Sequence, residues 1–283
     1  MKSVIRNLSM FSILLLAAGC FKHQGAPERP VTAHSLDEAA KLRETVQAVE
    51  LPGLELSAIP AEFASMPKLE QLQLRGAKGL SKFDGLAPLA GLKLLDLSET
   101  KIDTVPQSLF SLAKMETLYL AGNALKALPK EIGSLKALRY LNLDRNAIAA
   151  LPEEIGELEG LRWLRLNANQ LTSLPAGVAK LKKLQRVYLE KNRLAAVPEV
   201  LKDMPLLEDI ALDNNPIHEV PQWLTSLPKL RQLNLDSTAI TNLPPDLSGW
   251  RNIQVLSLTR CNLSDAEQDR VRAALPERVH IAF

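Results

Sequence analysis

Residues 138–160 read LRYLNLDRNAIAALPEEIGELEG, and residues 161–183 read LRWLRLNANQLTSLPAGVAKLKK. Apolar residues recur at positions 1, 4, 6 and 11, Asn at 9, an aliphatic-Pro pair at 14–15, and apolar residues again at 18 and 21. Stepping by 23 residues places repeat starts at Val46, Leu69, Leu92, Met115, Leu138, Leu161, Leu184, Leu207, Leu230 and Ile253, with no residue inserted or lost. A fixed period of this length dictates a solenoid, because no single unit can bury its own apolar face.

The spelling of the unit predicts its shape. Apolar residues at 4 and 6 alternate with outward residues at 3 and 5, which is strand patterning. One strand per repeat, always returning the same way, predicts a parallel sheet. Asn at position 9 (Asn123, Asn146, Asn169, Asn192, Asn215) turns inward, where its amide satisfies buried turn backbone. Thr100, Thr238 and Cys261 take that slot elsewhere, and Cys261 is expected there as a buried, inert thiol. Pro at 15, from Pro106 to Pro244, stops the strand, and a short helical turn is expected to return the chain to the core.

The pattern resembles the leucine-rich repeat family, L-x-x-L-x-L-x-x-N-x-L followed by x-x-L-P-x-x-I-x-x-L-x-x. It is most similar to the subtype found in Ras-associated and many bacterial repeat proteins. The resemblance implies an α/β horseshoe solenoid with its parallel β-sheet on the concave face. Repeats one and two depart from the pattern: Pro52-Gly53-Leu54 interrupts the first, and Asp84 to Leu89 resembles a different subtype.

The flanks complete a domain plan. Residues 1–19 carry Lys2, Arg6 and a short apolar run ending Ala17-Ala18-Gly19-Cys20, an export signal too short to span a membrane. LLLAAGC resembles a bacterial lipoprotein signal, with Ala17 where that family usually has Leu, which implies lipidation at Cys20. Phe21 after the Cys resembles outer-membrane sorting if the host is Gram-negative. Residues 20–34 then read as the lipidated Cys and a flexible tether. Ser35-Leu36-Asp37-Glu38 and Ser264-Asp265-Ala266-Glu267 are capping boxes, predicting a capping helix over 35–45 and another within 264–283. Ten repeats occupy 46–263, and ERVHIAF closes the chain as an edge strand, with Pro276, Val279 and Ile281 at positions 1, 4 and 6 of an eleventh register.

Catalytic chemistry is not expected. With Lys2 and Arg6 set aside, 32 basic and 32 acidic residues cancel, so there is no basic excess for nucleic acid. His23, His34, His218 and His280 are scattered, and no nucleophile, phosphate-loop or zinc motif occurs, so no cofactor or metal is called for. The acids at 265–269 lack the glycine and spacing of a calcium loop and suit a helix N-terminus instead.

What remains is the outward face of the sheet. All three tyrosines of the chain fall on it, and one of the three tryptophans joins them. Tyr119, Tyr140, Trp163 and Tyr188 occupy four consecutive repeats beside Arg165 and Arg186, with Asp144, Glu190, Asp209, Asp213 and Asp236 expected as an acidic rim. Tyr, Trp and Arg dominate binding hot spots, so these six residues are the candidate ligand site. The expectation is a monomeric, membrane-anchored envelope protein that binds a protein partner through this face. A cell-wall glycan on the same strip, a spacer without ligand, and rings that merely pack the sheet are the rival expectations. Trp250 fits a core slot, and Trp223 a partly covered convex position.

Overall fold

The computed structural model describes residues 29–283. The expected signal peptide, Cys20 and the part of the expected tether up to residue 28 lie outside the described residues. Twelve parallel strands form one sheet in chain order: β1 Thr32–Ala33, β2 Ala48–Glu50, β3 Gln71–Gln73, β4 Leu94–Asp96, β5 Thr117–Tyr119, β6 Tyr140–Asn142, β7 Trp163–Arg165, β8 Arg186–Tyr188, β9 Asp209–Ala211, β10 Gln232–Asn234, β11 Val255–Ser257 and β12 His280–Ala282. From β2 to β11 each pairing aligns equivalent positions of neighbouring repeats, as in Leu141 against Leu164. The solenoid is therefore the direct consequence of a repeat without insertions.

Each repeat sends its apolar positions into one continuous core. In the fifth, Leu138, Leu141, Leu143, Ile148, Ile155 and Leu158 are 0% exposed and Leu151 is 7% exposed. The Asn ladder works as its chemistry dictates. Asn169 Nδ2 donates to the Leu166 carbonyl (3.0 Å) and to Leu143 O of the preceding repeat (3.0 Å), while its Oδ1 accepts from Ile148 N (3.0 Å). One side chain thus answers three backbone groups that the turn would leave buried and unpaired. Thr100 and Thr238 keep one of the three, each donating to the carbonyl three residues earlier at 2.7 Å. Cys261 reaches Leu235 O at 3.2 Å, but it is half-buried, not buried as expected: it lies in the last repeat, where only the C-terminal segment stacks beyond it.

The prolines start the return. Pro129, Pro152 and Pro175 sit just before 3-10 turns at Lys130–Ser134, Glu153–Glu157 and Ala176–Lys180, with φ between −74° and −69°. Two of these turns nest because Gly156 has no side chain; a Cβ there would collide with the Gly177 carbonyl. Position 8 turns the chain with positive φ in every repeat, using Gly53, Gly76 and Gly122 in three and non-glycine residues in the rest, such as Arg145 (57°), Ala168 (54°) and Lys191 (53°).

The ends differ from expectation in three respects. Residues 32–33, expected within a flexible tether, instead pair with β2, and the amides of Ala48 in that strand and of Gln47 just before it donate to Val31 O at 3.1 and 2.8 Å. The first helix, α1, covers only Leu36–Lys41 and not 35–45; Leu42 N closes it on Glu38 O, and turns carry the chain into β2. Ser35 Oγ accepts from Glu38 N (3.1 Å), and the Glu38 carboxylate reaches back to His34 N at 2.8 Å. The second helix, α2, is Asp265–Ala274. There Ser264 Oγ accepts from Glu267 N at 3.2 Å, but the Glu267 carboxylate turns to Leu243 N (2.7 Å) and Arg270, which in turn donates to the Leu243 and Pro244 carbonyls. That clasp ties α2 to the tenth-strand repeat. Finally, β12 aligns Val255 with His280 and Leu256 with Ile281, two residues later than an eleventh register requires. An α-helix rises less per residue than the 3-10 turns it replaces, so the return consumes more chain. A shift of two keeps strand parity, and Val279 still points inward at 7% exposure.

Candidate functional site

The six residues expected to form a site do lie together. Tyr140, Trp163 and Arg186 occupy aligned positions in β6, β7 and β8, and Arg165 aligns with Tyr188. Tyr119 stands in β5, two positions along its strand from the residue that aligns with Tyr140. The rings pack on one another, Tyr119 to Tyr140 at 5.0 Å between centroids and Tyr140 to Trp163 at 5.6 Å. Beyond Trp163 the guanidiniums take over. Arg186 lies over the Trp163 ring at 4.4 Å and Arg165 over the Tyr188 ring at 5.0 Å. Cation–π contacts of this kind gain strength as they lose water.

Each arginine is held in turn by an acid. Arg165 Nε donates to Asp144 Oδ2 at 2.7 Å, and Arg186 Nε pairs with Asp209 Oδ2 at 2.9 Å. Asp144 also accepts from Asn167 N (2.8 Å), and Asn167 Oδ1 accepts from Glu190 N (2.9 Å). The outward residues at position 7 therefore brace the neighbouring repeat's backbone. The acids expected as a rim are more buried than a rim implies: Asp144, Asp209 and Asp213 are each 8% exposed. Tyr140 is nearly covered as well, at 9%, between its two ring neighbours, whereas Tyr119, Trp163, Arg165, Arg186 and Tyr188 are half-buried.

Burial sets the ionisation of the strip. It raises the hydroxyls of Tyr119 and Tyr188, and that of Tyr140 well above the ordinary phenol range, so all three stay neutral. Burial opposes the Arg165 charge, but Asp144 and the tyrosines beside it outweigh that and raise its pKa. Asp209 is raised by burial, with Arg186 pulling the other way. Asp213 is pushed up to about 6 by burial, with Glu190 adding repulsion. No group of three or more His, Cys, Asp or Glu among the described residues is placed to hold a metal ion.

Two family models match this chain, a leucine-rich repeat region over residues 130–236 and a leucine rich repeat over residues 89–154. Together they run across more than half of it. The chain belongs to the leucine-rich repeat family. No curated protein matches it. Among solved structures, an internalin (inlF) from Listeria monocytogenes superposes with a TM-score of 0.74 at 21% identity, covering 88% of this chain and 70% of the internalin chain. The ectodomain of the Arabidopsis thaliana receptor kinase GASSHO1/SCHENGEN3, in complex with CASPARIAN STRIP INTEGRITY FACTOR 2, gives 0.66 at 24% identity over 84% of this chain and 30% of that one. The plant peptide hormone receptor RGFR1 in complex with RGF2 gives 0.62 at 22% over 84% and 43%. The chain thus spans less than half of either plant receptor chain, and the likeness at these identities is one of fold.

Within this leucine-rich repeat protein, reading for large side chains alone passes over Ala211. It lies between Tyr188 and Asn234 in the aligned row of position 5. A small residue between two larger ones makes a step in the face, a signal present in the sequence once columns are scanned for what is missing. The other tryptophans sit as expected. Trp250 is 2% exposed and donates to Leu224 O at 3.1 Å, and Trp223 is half-buried against the core on a groove shared with Pro198 and Pro221.

Proposed function

We propose that this protein binds a protein partner through its concave sheet, with Trp163, Arg165, Arg186, Tyr188 and Tyr119 supplying the contact and Tyr140 the support beneath. The observation that carries this reading is the mutual fixation of the strip. Rings and guanidiniums already hold their bound geometry, so docking immobilises few side chains. The two plant receptors, solved in complex with CASPARIAN STRIP INTEGRITY FACTOR 2 and with RGF2, support the reading by analogy of fold. We further propose that the chain performs no catalysis, and that lipid on Cys20 holds it at the cell envelope, in the outer membrane of a Gram-negative host. No helix among the described residues is long and apolar enough to cross a membrane. The near-complete burial of Tyr140 favours a second reading, in which the strip only stabilises the sheet.

Photo-crosslinking the full chain in its host separates the two. A photoreactive residue at Gln232, on the sheet face, is expected to trap a partner that one at Lys180, on the convex side, does not. Trp163→Ala is expected to abolish that adduct while leaving the fold intact, whereas inward Leu164→Ala costs about 2–5 kcal/mol of stability. Adducts that persist in Trp163→Ala, or that form equally from both sides, overturn the surface. A glycan ligand would instead appear as retention on insoluble cell wall that Trp163→Ala abolishes. For the anchor, incorporation of an alkyne fatty acid should disappear in Cys20→Ser.

A further inference from the structure

The two halves of the sheet face treat charge differently, and one place on it is both hollow and electrically unanswered. In β8, β9 and β10 the aligned residues Tyr188, Ala211 and Asn234 make a row in which the middle side chain is a single methyl group. Adjacent strands stand about 4.8 Å apart, so the gap over Ala211 is flanked directly by the Tyr188 ring. The Arg165 guanidinium that covers that ring comes from β7, on the far side of it from the gap. Two residues along from Ala211 is Asp213, only 8% exposed, with Glu190 and Asp236 at the same position of the neighbouring repeats.

Among the described residues, Asp213 and Asp236 lack the counter-charges that other acids of this face have. Asp144 and Asp209 are each engaged by an arginine, and Glu190 by Lys191 at 2.8 Å. Asp213 accepts from the neutral amide of Asn214 at 2.8 Å, and Asp236 from Ser257 Oγ and Thr259 N, each at 2.7 Å. Among the described residues, no Lys, Arg or His lies within ion-pair distance of either. The rise of the Asp213 carboxyl to about 6 follows from burial first and from Glu190 and Asp236 after it. A buried carboxylate among like charges is a cost that a matching cation from outside would offset.

We propose that the gap over Ala211 seats one lysine or arginine side chain of an extended partner segment, its charged head against Asp213 and Asp236 and its stem along the Tyr188 ring. Long basic side chains combine an apolar stem with a cationic tip, and an aromatic wall beside paired carboxylates complements both parts. The aromatic strip gives the partner its contact area, and this seat selects for a basic residue at one point. The inference rests on the concave-face reading above.

The test selects phage-displayed random dodecapeptides against the full chain at low ionic strength and measures the winners by fluorescence anisotropy. Basic residues are expected to be enriched. Replacing one of them by norleucine, or making Asp213→Asn, should each weaken binding about tenfold, and the two together should weaken it no further than either alone. Ala211→Leu, which fills the gap, should abolish binding. Asp213→Asn removes an unmet charge, so its loss of binding cannot be ascribed to unfolding; melting curves of all variants check this. Winners without basic enrichment, an additive pair of losses, or a selection that enriches nothing overturn the seat. If such winners still lose affinity in Trp163→Ala, the concave surface stands and only the seat falls. If Trp163→Ala binds them like wild type, the surface falls with it.

Discussion

Repeats five to seven and repeats eight to nine share one sheet, one register and one Asn ladder, yet their outward faces solve opposite problems. In the first region every charge has an answer: Asp144 holds Arg165, Arg165 lies over Tyr188, and Arg186 links Trp163 to Asp209. In the second, Asp213 and Asp236 have only neutral donors among the described residues. The core beneath is equally buried in both, so stability of the solenoid does not require this difference. A solenoid separates the two tasks: inward positions repeat because each repeat must stack, and outward positions are free to vary. The proposed seat would make use of this difference, because an outside cation is what the unanswered charge lacks.

Breaking the answered side should have the largest effect. Asp144→Asn keeps the shape and the acceptor for Asn167 N but strands the Arg165 charge. The Arg165 and Asp144 side chains are 27% and 11% exposed. The cost should therefore fall between that of a surface pair and that of a fully buried one, about 2 kcal/mol in urea unfolding. The double variant with Arg165→Met should recover much of it. A loss under about 0.5 kcal/mol would mean that the pair is solvated and the strip less rigid than its geometry implies.

The unanswered side should respond with the opposite sign. The folded Asp213 carboxyl holds its proton to about pH 6, above an unfolded aspartate near 3.8. Folding is thus favoured below about pH 4, and that contribution is lost as pH rises through 6. Asp213→Asn should raise stability at pH 7 by roughly 1 kcal/mol, after allowance for solvent screening, and flatten the curve between pH 4 and 6. Asp96 and Asp209, also raised by burial, should leave a residual slope of the same sign. Equal pH profiles for the two proteins would show that Asp213 carries no unmet charge.

The same division explains what the sequence made legible. Leu141, Asn169 and Pro152 have roles decided inside one repeat and its identical neighbour, so the period alone reveals them. The pairing of Arg165 with Asp144, or of Arg186 with Trp163, depends on which residues meet across strands at positions the repeat leaves unspecified. All six candidate residues could be placed on one face, but not the burial of Tyr140 or the acids that hold the arginines. At the ends, Thr32–Ala33 is too short to carry a strand pattern, and the late register of β12 follows from the helix before it rather than from its own residues.

The smallest expected effect supplies the control. Position 8 has positive φ in both regions, Ala168 at 54° in one and Asn214 at 56° in the other. Ala168, whose side chain is a methyl group, therefore varies backbone strain without touching either face's charges. For alanine this conformation costs about 1–2 kcal/mol, while glycine there gives back about 0.5–1 through the entropy of the unfolded chain. Ala168→Gly should then stabilise by about 0.5 kcal/mol, leaving the pH profile and any peptide affinity unchanged. Gly122→Ala should do the reverse and more, because the new Cβ would lie 2.8 Å from Glu99 Cγ, whose carboxylate holds Arg75 and Arg145. If Ala168→Gly instead altered the response to Asp213→Asn, the two regions would be coupled through the turns, and the contrast between their faces could not be read from side-chain charge alone.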